Sequence, residues 1–297
     1  MDKKLLFIYN PVSGKAQARA YITDIIEIYS ENDYIVTVYP TKCKGDGFEF
    51  IKQHASEYNM IAVCGGDGML NEAVNALMHT DASVRPALAY LPSGSTNDFA
   101  GTVGIPTNVR HAAKMSVEGK PFFCDAGKIN DKYFAYVAAF GAFTSVSYDT
   151  SQDFKNIFGH LAYIFEGLRK LPTIKPIHMK ISFDNNVIED DFILGMVTNS
   201  LQVGGIKFNL GTAISLNDGM FEVLLVKKPQ NATSFQTVIS AFMAQNIEKA
   251  KDIISFKASK IKFETDEPIP WTVDGEFGGD TDCAEITNYT RAFSVII

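Results

Sequence analysis

Three short segments rich in glycine and hydroxyl residues could hold a phosphate group. They are Asn10-Pro-Val-Ser-Gly-Lys15, Gly65-Gly-Asp-Gly68 and Pro92-Ser-Gly-Ser-Thr-Asn-Asp98. Glycine lets the backbone approach an anion closely, and hydroxyls such as those of Ser13 and Ser95 donate hydrogen bonds. Each segment alone is a weak signal, because a glycine-rich turn is often purely structural. Ser13-Gly-Lys15 is also shorter than a Walker A loop, and Asn71 breaks the dinucleotide-binding fingerprint.

The pattern around these segments predicts that they meet. Strands are predicted at Leu5–Tyr9, Tyr34–Tyr39, Met60–Val63 and Ala87–Leu91, and helices at Ala16–Tyr29, Phe48–Glu57 and Met69–Met78. This alternation is typical of an open, doubly wound parallel sheet, in which all the carboxyl ends lie at one edge. Each segment also leads into a helix, whose amino terminus favours phosphate. The first third therefore predicts a shared nucleotide site.

The remainder of the chain is rich in β-branched and aromatic residues, which indicates strands. They are predicted at Lys132–Phe140, Ile177–Phe183, Asp191–Thr198, Phe221–Val226, Ile261–Thr265 and Trp271–Val273, with helices at Phe158–Leu171 and Thr233–Ala244. The fold class is therefore α/β, with an N-terminal doubly wound nucleotide-binding domain (residues 1–124) and a second, β-sandwich domain (residues 125–297). The final run, Arg291–Ile297, is expected to pair back onto an existing sheet.

Composition excludes several classes of protein. The 27 Lys and Arg against 34 Asp and Glu give a net charge of -7, which argues against nucleic-acid binding through a general positive field. The four cysteines lack metal-type spacing and mostly sit in apolar runs, so we expect buried thiols in a reducing, cytoplasmic compartment. No apolar run approaches the ~20 residues that a membrane-spanning helix needs.

Extended slightly, these segments together resemble the catalytic domain of the diacylglycerol kinase family, which includes bacterial lipid kinases and the sphingosine and ceramide kinases. The residues that carry the resemblance are Asn10-Pro-Val-Ser-Gly-Lys15, Gly65-Gly-Asp-Gly-Met-Leu-Asn-Glu72 and Gly94-Ser-Thr-Asn-Asp-Phe99. The resemblance continues in order through Cys124-Asp-Ala-Gly127, Ser215-Leu-Asn-Asp-Gly-Met220 and Val273-Asp-Gly-Glu276. It implies transfer of the γ-phosphoryl group of ATP, with Mg²⁺, to the hydroxyl of a membrane lipid, with diacylglycerol the leading candidate. It also implies phospholipid metabolism, and transient peripheral contact with the inner membrane surface.

The resemblance assigns nucleotide contacts residue by residue. They are Asn10, Pro11, Val12, Ser13, Gly14, Thr41, Gly65, Gly66, Asp67, Gly68, Met69, Leu70, Asn71 and Ser95. Asp67 would also act in catalysis, through the network around the Mg²⁺ that accompanies ATP. The alternative for Asp67 is an N-cap of the helix that follows.

Glu276 is the residue that we expect to act as general base. A strand period along Trp271–Glu276 points Trp271 and Val273 to one face and Asp274 and Glu276 to the other. Repulsion between the two carboxylates raises the proton affinity of one of them. That would suit a carboxylate that takes a proton from a lipid hydroxyl. In isolation this segment is as easily an acidic turn at a solvated strand end, and the resemblance reverses that balance.

Ser215, Asp218 and Met220 correspond, by the same resemblance, to a second and structural Mg²⁺ site built from backbone carbonyls and one carboxylate. Oxygen ligands and a tight Asp-Gly turn suit a hard cation. The same residues equally make a plain hairpin turn.

Some positions depart from the family pattern. Met69 stands where Thr is common, and Gly101 where many relatives carry Arg, so Lys15 or Arg19 could supply the missing positive charge. The stretch Ser151–Lys180 has a local basic excess around an amphipathic helix, which could face a membrane or simply pack on the second domain.

Other functions remain open at this point. A kinase of a soluble acceptor such as NAD shares the Gly-Gly-Asp-Gly segment, and a nucleotide-sensing or lipid-binding protein without catalysis is the alternative from a different class. Within lipid kinases, monoacylglycerol, a sphingoid base or a polyprenol could replace diacylglycerol. An edge strand of the second domain could pair in a homodimer.

Overall fold

The computed structural model of the chain describes residues 3–12, 17–142, 175–200, 202–203, 206–207, 215–244 and 250–297. It divides into two compact units, which we call the N-terminal unit (Met1–Ala126 with Thr290–Ile297) and the β unit (Gly127–Tyr289). Two cysteines, Cys64 and Cys124, are buried as expected, whereas Cys43 is exposed.

The helices are α1 (Gln17–Ala20), α2 (Ile22–Ser30), α3 (Asp46–His54), α4 (Asp67–Met78), α5 (Asp98–Val103), α6 (Val109–Glu118) and α7 (Ala232–Met243), with 3₁₀ turns at Ala55–Glu57 and Ala82–Val84. The strands are β1 (Lys3–Tyr9), β2 (Tyr34–Pro40), β3 (Met60–Gly65), β4 (Ala87–Pro92), β5 (Pro121–Ile129), β6 (Lys132–Phe134), β7 (Val137–Gly141), β8 (Ile177–Phe183), β9 (Asn186–Thr198), β10 (Gln202–Val203), β11 (Ile206–Lys207), β12 (Phe221–Lys227), β13 (Ile253–Ala258), β14 (Lys260–Val273) and β15 (Glu276–Ile296). No helix among these described segments is long and apolar enough to cross a membrane.

The N-terminal unit contains the predicted parallel sheet, with strand order β2-β1-β3-β4. The end of β15 lies parallel to β4, where Val295 pairs with Leu88. Helix α2 packs against α6, and α3 packs against α4. Strands β2 and β3 lie on opposite sides of β1, so the strand order reverses between β1 and β3. In open α/β sheets that reversal marks the ligand-binding edge.

The apolar pattern explains why these helices dock. In α2, Ile25, Ile28 and Tyr29 are buried, and the Tyr29 hydroxyl lies 2.8 Å from the Ser116 Oγ of α6. The expected helix Ala16–Tyr29 is interrupted at Tyr21, whose φ of -115° and ψ of 8° are not helical.

The β unit is built from antiparallel strands. Strand β12 lies between β13 and β9. Strands β7 and β8 each pair with both β9 and β14. On its other edge, β14 pairs with β15. An aromatic cluster of Phe140, Phe263 and Trp271 lies in its core, with ring centroids 5.1 to 6.0 Å apart. The predicted fold class, α/β followed by a β-rich domain, is confirmed.

The β unit departs from the predicted strands in two informative places. The expected strand Lys132–Phe140 is two strands, β6 and β7, separated by residues 135 and 136. The two strands expected at Ile261–Thr265 and Trp271–Val273 are one strand, β14, with an irregularity between Glu264 and Ile269. The prediction for helix Phe158–Leu171 lies outside the described residues, as does most of the basic stretch Ser151–Lys180.

Candidate functional site

Backbone hydrogen bonds hold together the segments that follow the first four strands of the N-terminal unit. The amide of Asn10 donates to the Cys64 carbonyl (3.1 Å), and the amide of Thr41 donates to the Tyr9 carbonyl (2.9 Å). The amide of Ser93 donates to the Gly65 carbonyl (2.8 Å). The carboxyl ends of β1, β2, β3 and β4 therefore form one connected edge, at the reversal of strand order.

Two glycines from different segments touch at this edge. A Cβ added to Gly94 would lie 2.5 Å from the Cα of Gly66, and one added to Gly66 would lie 3.2 Å from the Cα of Gly94. Gly66 has φ of -86°, so positive φ is not the reason for glycine there. A side chain at either position would force the two segments apart. Glycine at both positions therefore allows the two segments to come into contact.

Helix α4 begins directly at this contact. Gly66 occupies the N-cap position and Asp67 is the first helical residue, so the N-cap alternative for Asp67 is wrong. The amides of Met69 and Leu70 donate to the Gly66 carbonyl at 3.0 and 3.2 Å. The side chains of both residues are buried, so only their backbone could contribute to a ligand site. The amides that precede Met69 are the ones that a helix start offers to an anion.

The carboxylate of Asp67 is partly enclosed, because its Oδ1 atom is buried. Burial raises the pKa of the Tyr90 hydroxyl well above its usual value, and the negative charge of Asp67 raises that pKa further. Tyr90 is therefore neutral, and its hydroxyl donates to the Asn97 Oδ1 (3.3 Å). A carboxylate beside phosphate-suited loops has the chemistry that a Mg²⁺ ion requires.

Asn97 shapes the segment after β4. Its φ of 54° is left-handed, its Oδ1 accepts from the Gly94 amide (2.9 Å), and its Nδ2 donates to the Gly94 carbonyl (2.9 Å). These two bonds close a tight loop that leaves Ser95 exposed. Ser95 is thus presented at the same edge as Gly66.

Glu72 and Asp46 also organise the site, and sequence reasoning gave neither of them a role. The Glu72 carboxylate on α4 accepts from the Gly45 amide (2.8 Å) and the Phe48 amide (3.3 Å). Asp46 accepts from the Lys42 amide (2.7 Å) and from a tyrosine hydroxyl, that of Tyr39 (3.0 Å). Together they fix the segment that carries Thr41. Glu72 lies inside the Gly65–Glu72 motif, so its position was visible although its contacts were not.

The first predicted segment is described only in part. Asn10 Oδ1 accepts from the Val12 amide (3.0 Å), which is an Asx turn, and Val12 is largely exposed. Ser13 and Gly14 lie outside the described residues.

Glu276 lies in the β unit, as the first residue of β15, and is exposed. It pairs with Val273 across a two-residue turn formed by Asp274 and Gly275. The expectation of one continuous strand through Trp271–Glu276 is therefore wrong, because β14 ends at Val273. Asp274 is a buried turn residue that binds backbone amides, so it does not project beside Glu276 from a strand face.

The expected second cation site is a turn with a lysine beside it. Asp218 Oδ1 accepts from the Met220 amide (3.0 Å), and Asp218 Oδ2 lies 3.4 Å from the Lys257 ammonium. The same ammonium lies 2.9 Å from the buried carboxylate of Glu222. Within the described ranges, no three His, Cys, Asp or Glu side chains come close enough to hold a metal. The carboxylate of Asp218 suits a hard cation, but Lys257 would have to share it.

Comparisons with known proteins agree with this geometry. Residues 4–129 match the family described as "Diacylglycerol kinase catalytic domain", and residues 138–295 match the "YegS C-terminal NAD kinase beta sandwich-like domain". The chain is 33% identical to a diacylglycerol kinase of Bacillus subtilis over 297 residues, which cover 99% of this chain and 96% of the relative.

Solved structures give the same result. One from Bacillus anthracis has a TM-score of 0.85 at 29% identity, covering 99% of this chain and 95% of its own. A diacylglycerol kinase from the same organism has a TM-score of 0.76 at 27% identity, covering 99% of this chain and 96% of its own. With near-complete coverage and identity above 30% to the B. subtilis protein, this chain belongs to the diacylglycerol kinase family.

Proposed function

We propose that this chain, a lipid kinase by its family, transfers the γ-phosphoryl group of ATP to the hydroxyl of diacylglycerol and so forms phosphatidic acid. The observation that carries the proposal is the connected edge after β1, β2, β3 and β4, where Gly66 and Gly94 touch at the start of α4. Such an edge suits a phosphate chain, because backbone amides at glycine-rich turns and at the start of a helix attract an anion.

The N-terminal unit holds ATP in this proposal. Residues 10–14 and 65–71 hold the nucleotide, and the backbone amides before Met69 face its phosphates. Thr41 and Ser95 add further contacts to the nucleotide. Asp67 helps to hold the Mg²⁺ that accompanies ATP, and that ion neutralises charge on the phosphates when it is bound. Glu72 and Asp46 act indirectly, because their bonds to backbone amides fix the segment that carries Thr41.

Glu276 takes the proton in the transfer step. The lipid hydroxyl oxygen attacks the γ-phosphorus, an O–P bond forms, and the bond between the γ-phosphorus and the oxygen that bridges it to the β-phosphate breaks to release ADP. The hydroxyl proton passes to the Glu276 carboxylate. Glu276 is the first residue of β15 and is exposed, so an acceptor can reach it.

The protein must meet its acceptor at a membrane surface, because diacylglycerol does not leave the bilayer. We therefore place the protein at the inner face of the membrane, in transient peripheral contact. A second divalent cation at Ser215, Asp218 and Met220 has a structural role in this proposal, and it competes with Lys257 for the carboxylate of Asp218.

The test is a transfer assay with ³²P-labelled ATP, Mg²⁺ and vesicles that each contain one acceptor. Diacylglycerol, monoacylglycerol, a sphingoid base and a polyprenol are compared. NAD is included as a soluble acceptor because residues 138–295 match a domain whose description likens it to the β-sandwich of NAD kinase. We expect label in phosphatidic acid at the highest rate. If another lipid were labelled faster, that lipid and not diacylglycerol would be the acceptor. Labelling of NAD would show a kinase of a soluble acceptor, and ATP binding without any labelled product would contradict the proposed catalysis.

A further inference from the structure

The hairpin that carries Glu276 has an unusual first turn residue. Asp274 and Gly275 have φ of 48° and 82°, and Val273 pairs with Glu276 across them. Two-residue hairpins of this kind need positive φ at both central positions, which favours Asp-Gly. That requirement does not involve burial, yet Asp274 is only 2% exposed. Burying a carboxylate costs free energy unless strong partners compensate.

The partners are three successive backbone amides. The Asp274 Oδ2 atom accepts from the Ala135 amide (2.7 Å), and the Oδ1 atom accepts from the amides of Tyr136 and Val137 (both 3.0 Å). In return, the Asp274 amide donates to the Val137 carbonyl (2.8 Å). Bonds to an ionised acceptor are roughly twice as strong as neutral ones. This cluster also explains why the chain stops pairing as a strand between β6 and β7.

The segment that binds Asp274 is itself fixed. The Tyr136 carbonyl accepts from the Thr198 hydroxyl (2.7 Å) and from the Asn199 amide (2.9 Å), at the end of β9. Ala135, Tyr136 and Val137 are all buried, as are Thr198 and Asn199. The carboxylate of Asp274 therefore ties the hairpin to a buried frame of the β unit.

We propose that Asp274 is a positioning residue that holds the carboxylate of Glu276 where it can accept the proton of the lipid hydroxyl. The proposal rests on the proposed function, because it requires Glu276 to be the base. Glu276 lies two residues after Asp274, at a hairpin end where an unanchored strand would fray. Misplacement of a reacting group by about 1 Å can cost ~100-fold in rate.

A double-mutant cycle tests this role. Asp274→Asn keeps the shape but presents an NH₂ group to amide donors, and Glu276→Gln removes the base. For wild type, both single variants and the double variant, kcat is measured on diacylglycerol vesicles, with ATP affinity by calorimetry and folding by thermal melt. Asp184→Asn is the matched control, since Asp184 is an exposed hairpin residue with φ of 48° between β8 and β9.

We expect Asp274→Asn alone to lower kcat by roughly 10–100-fold, with ATP affinity within about twofold of wild type. In a protein that already carries Glu276→Gln, Asp274→Asn should lower kcat further by less than about threefold. The control should stay near wild type. Effects that multiply, or a wild-type kcat in Asp274→Asn, would overturn the positioning role while leaving Glu276 as the base. If Glu276→Gln alone kept its activity, the catalytic assignment and the positioning role would fall together.

A second variant covers the case in which Asp274→Asn does not fold. Asp274→Gly accepts positive φ without strain and lacks the carboxylate, so the turn survives while the anchor is lost. Assayed below its melting midpoint, it should show the same selective loss of kcat. Full activity in the folded Asp274→Gly protein would contradict the proposal.

Discussion

Two Asp-Gly turns of the β unit have the same residue pair and very different surroundings. Asp274 is buried and receives three backbone amides, whereas the Asp218 side chain is 34% exposed and lies 3.4 Å from the Lys257 ammonium. Backbone donors are fixed by the fold, and a lysine side chain can move away. The first turn is therefore a rigid anchor, while the second is a site that an external cation could enter.

The largest expected effect is on stability at the buried turn. Asp274→Ala leaves three amides without their ionised acceptor, so we expect a loss of about 3–5 kcal/mol in the free energy of unfolding. Asp218→Ala removes one exposed ion pair and one turn bond, and should cost about 1 kcal/mol or less. Urea unfolding of both variants measures the difference. Equal costs, or a larger cost at Asp218, would remove the distinction between the turns.

The next effect concerns the ammonium shared at the second turn. Lys257→Met leaves Glu222, which is only 2% exposed, as a buried carboxylate without its cation, and we expect a loss of about 2–4 kcal/mol. The matched control is Lys262→Met, which breaks the exposed pair with Glu264 and should cost about 0.5 kcal/mol. If the two substitutions cost the same in urea unfolding, Lys257 is not the compensating charge for Glu222.

The smallest effect is the response to metal. A cation that binds only the folded protein adds stability by mass action, about 1.4 kcal/mol at tenfold excess over Kd, and should raise Tm by roughly 2–4 °C. We expect Mg²⁺ to raise the Tm of wild type but not of Asp218→Ala. Asp280→Ala, at an exposed residue of β15, should respond like wild type. A wild-type Tm that is the same in Mg²⁺ and in chelator would exclude the second cation site.

The sequence predicted the part of the candidate site that depends on local order along the chain. Segments after β1, β3 and β4 were expected at one edge because parallel strands share a direction, and the structure brings Asn10, Gly65 and Ser93 together there through backbone bonds. The motif alone could not show that Gly66 and Gly94 touch, since that contact joins two segments and depends on the sheet order.

What the sequence missed depends on contacts between distant residues. Asp274 lies 137 to 139 positions from the amides that donate to it. From the sequence it was therefore expected only on a strand face beside Glu276, or in an acidic turn at a strand end. Two of these amides, those of Ala135 and Tyr136, lie where the strand expected over Lys132–Phe140 is interrupted, and no local propensity encodes that interruption. Lys257, likewise, is brought beside Asp218 and Glu222 only by the pairing of β12 with β13.

In the proposed reaction, the N-terminal unit holds ATP while Glu276 activates the acceptor. Initial rates on diacylglycerol vesicles and calorimetric ATP affinity, measured together for Glu276→Gln, test it directly, with Glu285→Gln on an exposed position of the same strand as control. We predict that Glu276→Gln lowers turnover by roughly 10²–10⁴-fold with ATP affinity unchanged, and that the control keeps wild-type values. Near-wild-type turnover of Glu276→Gln would contradict the account and make Asp67 the next residue to test.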